Sequence, residues 1–149
     1  MRIAFACDHA ASEQREAILE ALRGAGHEVL DFGTDTGASV DYPDHIAPAA
    51  EALARGDADR AVVMCGTGIG ASIVANKIPG VLCARVSTVE DAEMARRHND
   101  SNALALGART ASTETNLSIL RTWLETPFDG GRHQGRVDKI RALDRRRCD

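Results

Sequence analysis

Short apolar runs alternate with stretches of helical spacing along this chain, and that alternation constrains its fold more than any other feature. Residues 3–7, 28–32, 61–65, 81–86 and 103–106 have the length and aliphatic content of buried strands. Helices are predicted over 12–23, near 48–55, and over 70–77, 87–97 and 113–125, with a last one after Gly131. Strands that alternate with helices imply a parallel sheet covered on both faces, because each parallel connection must cross back over the sheet. The predicted class is α/β: a three-layer sandwich with a five-stranded parallel sheet and a C-terminal helix. Ser12 is a plausible N-cap for the first helix, and Gly24 and Gly26 would stop it. Ser87-Thr-Val-Glu90 reads as a capping box, and Pro48 suits a first helical turn better than a helix interior.

Neither a repeat nor a linker interrupts the 149 residues, so a single domain over 1–149 is expected. No apolar run is long enough to span a membrane, and the first residues read as a strand rather than a signal peptide. Cys7, Cys65, Cys83 and Cys148 show neither a CxxC pair nor zinc spacing, which fits reduced thiols in a cytoplasm. A net charge of −4 argues against a general nucleic-acid binder. Arginines are nevertheless concentrated after residue 131.

Parallel sheets bind ligands at the carboxyl ends of their strands. That rule collects Asp8 and His9 after the first strand, Cys65 to Gly70 after the third, and Arg109 after the fifth. Cys65 sits where a strand breaks into Gly66-Thr-Gly-Ile-Gly70 and then into a helix. A helix start offers free N–H groups and a partial positive charge, so a nucleophile or base and an anion hole could share this loop. The alternative is a small buried residue beside a tight turn. The loop is GxGxG, which is neither the dinucleotide fingerprint nor a P-loop. Thr67 could donate to a ligand oxygen or merely cap the helix. Asp8-His9 is either a ligand-facing pair or a polar strand end. The segment from Arg96 to Asn102 is either functional or a helix terminus followed by an Asn/Asp turn. Arg132 and Arg136 share a helix face, where like charges repel slightly unless an anion lies between them. His27, His45, Cys7, Cys83 and Cys148 are assigned to structure or surface. The loop over 33–44 is long enough to suggest a function of its own.

Several motifs together resemble the type B ribose-5-phosphate isomerases, a family that includes allose-6-phosphate and galactose-6-phosphate isomerases. They are Cys7-Asp8-His9, Val40-Asp-Tyr-Pro-Asp44, Cys65-Gly-Thr-Gly-Ile-Gly-Ala-Ser72, Ala75-Asn-Lys77, His98-Asn-Asp100, Leu106-Gly-Ala-Arg109 and Gly130-Gly-Arg-His133 with Arg136-Val137. They run in order over nearly the whole length. The resemblance implies a Rossmann-like sheet, a homodimer or homotetramer with active sites shared between subunits, and aldose–ketose isomerisation without a metal or other cofactor. It makes Cys65 the base that takes the carbon-bound proton and His98 the ring-opening group. Arg132, Arg136 and Arg109 would hold the phosphate, with His9 nearby. Asp8 and Asn99 would bind sugar oxygens, and the amides from Gly66 through Gly68 to Gly70 would meet the enediolate. Tyr42 and Thr67 are further candidates at the sugar; His133 is left open between a ligand and a packing role. The expected substrate is ribose 5-phosphate; another phosphorylated aldose, of four or six carbons, is the alternative. A non-catalytic sugar-phosphate sensor would be expected to lack Cys65 or His98, and both are present.

Overall fold

A computed structural model describes residues 1–145. Strands β1 (Arg2–Cys7), β2 (Glu28–Asp31), β3 (Arg60–Cys65), β4 (Cys83–Arg85) and β5 (Ala103–Gly107) form one sheet in the order β2-β1-β3-β5-β4. Every neighbouring pair is parallel. Six helices accompany them: α1 (Ser12–Gly24), α2 (Tyr42–Arg55), α3 (Ile69–Asn76), α4 (Val89–Arg97), α5 (Thr113–Glu125) and α6 (Gln134–Arg145).

Side chains alternate across a strand, and here they sort by size. Ile3, Phe5, Val62, Met64, Leu104 and Leu106 point to one face, where they pack with Ile18, Leu22, Ile119 and Trp123 of α1 and α5. The other face is floored mainly by Ala4, Ala6, Ala61, Val63, Ala103 and Ala105, so α2 and α3 can approach closely. Cys65 ends β3 on this alanine-rich face. Trp123 is fully buried, and its indole N–H donates to Ser101 Oγ at 2.8 Å. Truncating an aromatic in such a place costs about 3–5 kcal/mol.

Several local expectations are corrected. Helix α2 begins at Tyr42 rather than near Pro48, with Pro43 in its first turn and Pro48 inside it. Pro43 occupies the position where a missing N–H costs nothing; Pro48 gives up one backbone bond. The preceding loop shortens accordingly. Ser12 is the first residue of α1, not its cap; a 3-10 turn, His9–Ala11, precedes it, and Asp8 Oδ1 accepts from Ala10 N at 3.0 Å. Thr88, not Ser87, caps α4 by accepting from Asp91 N at 3.1 Å. β4 is shorter than predicted, and its free edge is occupied by Asn76, whose amide pairs with both the N–H and the C=O of Cys83.

Candidate active site

β1 and β3 are neighbours, yet their connections leave in opposite directions across the sheet, β1 to β2 and β3 over β5 to β4. Such a divergence opens a crevice at the carboxyl ends. Cys65 lies there, 4 % exposed, and its sulfur accepts from Gly68 N at 3.2 Å. Gly68 has φ +75°, and a Cβ there would meet the Leu106 carbonyl carbon at 3.0 Å, so only glycine suits the turn. Thr67 is exposed, and its hydroxyl accepts from Ile69 N at 3.2 Å, which is the capping alternative.

The neighbouring loops converge on this turn. Asp8 is buried, with its N–H donating to Met64 O at 3.3 Å. His9 Nδ1 accepts from Val40 N at 3.1 Å, which leaves Nε2 to carry the ring hydrogen. Arg109 N donates to Gly66 O at 2.8 Å, and its side chain lies over Gly66, whose added Cβ would stand 3.4 Å from Arg109 Cδ. The Tyr42 ring rests on Gly70, where a Cβ would come within 2.6 Å of Tyr42 Cζ. Asp8, His9, Tyr42, Cys65, Gly66, Thr67, Gly68, Gly70 and Arg109 are thus brought together.

Residues the sequence reading passed over hold this cluster in place. Gln14 donates to the carbonyls of Ala108 and Ala111 at 3.0 and 2.9 Å and accepts from Asn116, which also donates to Gly107 O at 3.1 Å. Arg85 Nε donates to Thr67 O at 3.1 Å. For Gln14 and Asn116 the available signal was a polar residue on an otherwise apolar helical face. The other sulfurs are placed differently. Burial, against the pull of Arg15, pushes the Cys7 thiol up to about 11, and burial pushes Cys83 up to about 12. Cys148 falls outside the described residues. His45 Nδ1 meets Phe32 O at 2.9 Å, and His27 lies against the N-terminal amine, both structural roles.

His98, Asn99, Arg132 and Arg136 do not join the cluster within one chain. His98 terminates α4 just before β5 begins, at the amino end of the sheet, whereas Cys65 pairs with Gly107 at the other end. Strand β5 alone separates the ends by about 13 Å. At the amino end the His98 and His133 rings stack, with centroids 4.2 Å apart and planes 12° from parallel. Burial, then the charges of His98, Arg132 and Arg136, hold the His133 imidazole below its usual range, against Asp129. Arg97 Nε donates to both Asp129 carboxylate oxygens, at 3.2 and 3.1 Å. Among the described residues, Arg109, Arg132 and Arg136 have no carboxylate partner, unlike Arg15, Arg96, Arg97 and Arg141. Asn99 lines a small cavity of about 220 Å³ with Asn76, Cys83 and Ile140. Ligand atoms of His98, Asp129 and His133 lie within 4.8 Å of one another. That donor set could meet a divalent cation, but Arg97 already holds Asp129 and the flanking arginines oppose positive charge.

Comparison with known proteins agrees with this geometry. The family model described as ribose/galactose isomerase matches residues 3–140. Ribose-5-phosphate isomerase B of Escherichia coli is 40% identical over 146 residues, 98% of each chain. The Clostridium thermocellum ribose-5-phosphate isomerase B structure superposes with a TM-score of 0.95 at 44% identity, covering 98% of this chain and 99% of that one. The Mycoplasma genitalium enzyme, solved with bound ribulose-5-phosphate, gives 0.92 at 36% identity, covering 97% and 96%. A buried thiol beside a glycine turn, arginines without carboxylate partners and this full-length match converge: the chain belongs to the ribose/galactose isomerase family, among relatives of the type B ribose-5-phosphate isomerases.

Proposed function

We propose that this chain is an aldose–ketose isomerase that interconverts ribose 5-phosphate and ribulose 5-phosphate through an enediolate, acting as a single sugar-phosphate isomerase domain. The observation that carries the reading is the buried Cys65 thiol, set in a glycine turn at the carboxyl end of the sheet in a family that includes a ribulose-5-phosphate complex.

The reaction needs the sugar ring opened, a proton moved between C1 and C2, and the enediolate stabilised. Cys65, as thiolate, takes the carbon-bound proton, and charge passes from sulfur to the substrate oxygens. Amides of the Gly66–Gly70 loop, with Asp8 and Asn99, receive those oxygens. The Gly68 amide now bonded to sulfur is positioned to follow the charge. Imidazole gives and takes protons near neutral pH, so His98 serves the ring oxygen. Arg132, Arg136 and Arg109 grip the phosphate, because guanidinium forks match its oxygens. Nε2–H of His9 adds a donor, Thr67 and Tyr42 border the sugar, and no step calls on a metal.

Because the base and the ring-opening histidine occupy opposite ends of one sheet, a working site takes each from a different copy of the chain. A homodimer, alone or paired into a tetramer, satisfies this. Exposed apolar side chains support it. Helix α6 buries Val137, while its ties to the body of its own chain include polar ones, Arg141 donating to Asp100 Oδ2 at 2.9 Å and Asp144 Oδ2 accepting from Gly80 N at 2.7 Å. Ile69 and Ile73 on α3 are 53 % and 57 % exposed, and Leu143 on α6 is 51 % exposed. Such apolar area is what a partner covers. Among the described residues, no helix is long and apolar enough to cross a membrane, and the net charge of −4 gives no footing for nucleic acid.

The deciding experiment compares kcat/KM over four-, five- and six-carbon aldose phosphates and unphosphorylated ribose. Ribose 5-phosphate should lead, and free ribose should be turned over poorly. Equal activity on ribose and ribose 5-phosphate would overturn the phosphate site; preference for a tetrose or hexose phosphate would move the substrate within the same chemistry.

A further inference from the structure

His133 is 7 % exposed and has no step in the reaction described above, yet it lies flat against the ring of His98. How it arrives there is informative. Gly130 and Gly131 both have positive φ, +64° and +53°, which glycine adopts far more readily than other residues. They turn the chain so that His133 N donates to Gly130 O at 2.9 Å. The start of this turn is fastened to α4: Asp129 N donates to Arg97 O at 3.0 Å, and the Arg97 guanidinium holds the Asp129 carboxylate. Arg97 is the residue before His98. The turn is thus anchored one residue from His98 and folds back to cover its ring.

His98 itself is half-buried and closes α4, with its N–H donating to Met94 O at 2.9 Å. A side chain at a helix end has freedom about χ1 and χ2 unless something packs against it. Among the described residues, the His133 ring is the stacked aromatic partner of His98. Burial, then the charges of His98, Arg132 and Arg136, hold the His133 imidazole below its usual range, against Asp129, and so favour the uncharged ring. An uncharged ring face tolerates a neighbour that becomes an imidazolium, whereas a second imidazolium would repel it.

We infer that His133 is a positioning residue that fixes the plane of the His98 ring, so that His98 stays aimed at the sugar ring oxygen as it changes charge. Arg132 and Arg136 flank His133 in sequence, on the same turn and the helix that follows it. Phosphate capture by the arginines therefore steadies the element that orients the proton-transfer group. This inference rests on His98 being the ring-opening group.

The test uses the full-length protein with His133→Ala, which removes the ring, and His133→Phe, which keeps a stacking face without ring nitrogens. Ribose 5-phosphate forms a furanose; erythrose 4-phosphate cannot, because its phosphate occupies the hydroxyl that would close the ring. His133→Ala should lose about tenfold to a hundredfold in kcat on ribose 5-phosphate, the scale of a misplaced reacting group, with KM little changed. Exchange of the carbon-bound proton of erythrose 4-phosphate should stay near native, and His133→Phe should recover most of the lost turnover. Equal losses on both sugars, a Phe variant as poor as the Ala variant, or a loss confined to KM would each overturn the positioning role. NMR of the imidazoles gives a second reading independent of turnover. The His98 ring signals should be sharp in the native and Phe proteins and exchange-broadened in His133→Ala; unchanged signals in the Ala variant would refute the inference. If broadening appears while His98→Asn still turns over ribose 5-phosphate normally, the positioning of the ring stands and its assignment to ring opening fails.

Discussion

At the Cys65 sulfur the nearest backbone donor is Gly68 N–H, 3.2 Å away, and the thiol is almost closed to solvent. As the proposed base, a thiol placed so tightly has little freedom to be replaced. Alanine removes the proton acceptor; serine keeps the shape but offers an alcohol, a far weaker source of an anion. Both Cys65→Ala and Cys65→Ser should therefore lower kcat by orders of magnitude while ribose 5-phosphate still binds, as read by kinetics and calorimetry. Near-native turnover in the alanine variant would remove Cys65 from the chemistry. Cys7→Ser and Cys83→Ala should show no comparable loss, because burial keeps both thiols protonated. A second residue-scale expectation concerns acid. Arg15 pairs with Asp31 beneath the 33–41 loop, where Gly33 N also donates to Asp31 Oδ1 at 3.0 Å. Burial pushes the Asp31 carboxyl up, but the Arg15 bond, the Gly33 amide and the arginine charges outweigh it and hold the carboxyl below its usual value. The unfolded chain therefore binds the proton first, so this contribution is present above the ordinary carboxylate range and disappears as pH falls through it. Asp31→Asn should flatten the fall in Tm between about pH 5 and pH 3 relative to the native protein; parallel curves would show that the pair does not act this way.

Among the elements, the end of β5 shows how closely the site's parts are fitted. A Cβ on Gly107 would come within 2.8 Å of the Thr67 carbonyl carbon and oxygen and would collide with Thr110 Oγ1. Thr67 belongs to the loop that carries Cys65, so β5 and the glycine turn can meet only over a residue without a side chain. Gly107→Ala is expected to displace that loop, lowering both Tm and kcat, whereas Gly24→Ala, with open space around its Cβ, should leave kcat unchanged. Native kcat in Gly107→Ala would show that the loop can yield. The strands were legible because short continuous apolar runs bounded by turn residues mark strands buried on both faces. Cap positions were less so: Ser87 and Thr88 are both able to cap, and geometry chose Thr88. The start of α2 was misplaced for a similar reason, since Pro43 and Pro48 each suit a first turn and sequence offers no means of ranking them. Gln14 and Asn116 escaped notice because a polar residue in a helical pattern reads as solvent-facing until the 107–111 loop is seen to need its carbonyls satisfied.

For the molecule as a whole, the decisive fact is that Cys65 and His98, the two residues proposed to move protons, lie at opposite ends of one sheet. If two copies complete each other's sites, Cys65→Ala and His98→Asn, each inactive on ribose 5-phosphate alone, should regain activity when their subunits are mixed and allowed to exchange. Random pairing into dimers would restore one intact site in half of the molecules, or about a quarter of native activity. No recovery after verified exchange would place both groups in one copy's site and contradict the division seen here. The amino-acid order alone determined the α/β class, because apolar runs alternating with helical spacing admit only a covered parallel sheet. It also carried the Cys65 turn and the ordered motifs that place the chain in its family, since local backbone demands and reactive side chains are written residue by residue. Only the tertiary structure decided the strand order β2-β1-β3-β5-β4, the stacking of His133 on His98 and the separation of His98, Arg132 and Arg136 from Cys65. Each of these depends on which distant segments pack together, and that choice is made by the joint burial of all the faces at once rather than by any one segment's pattern.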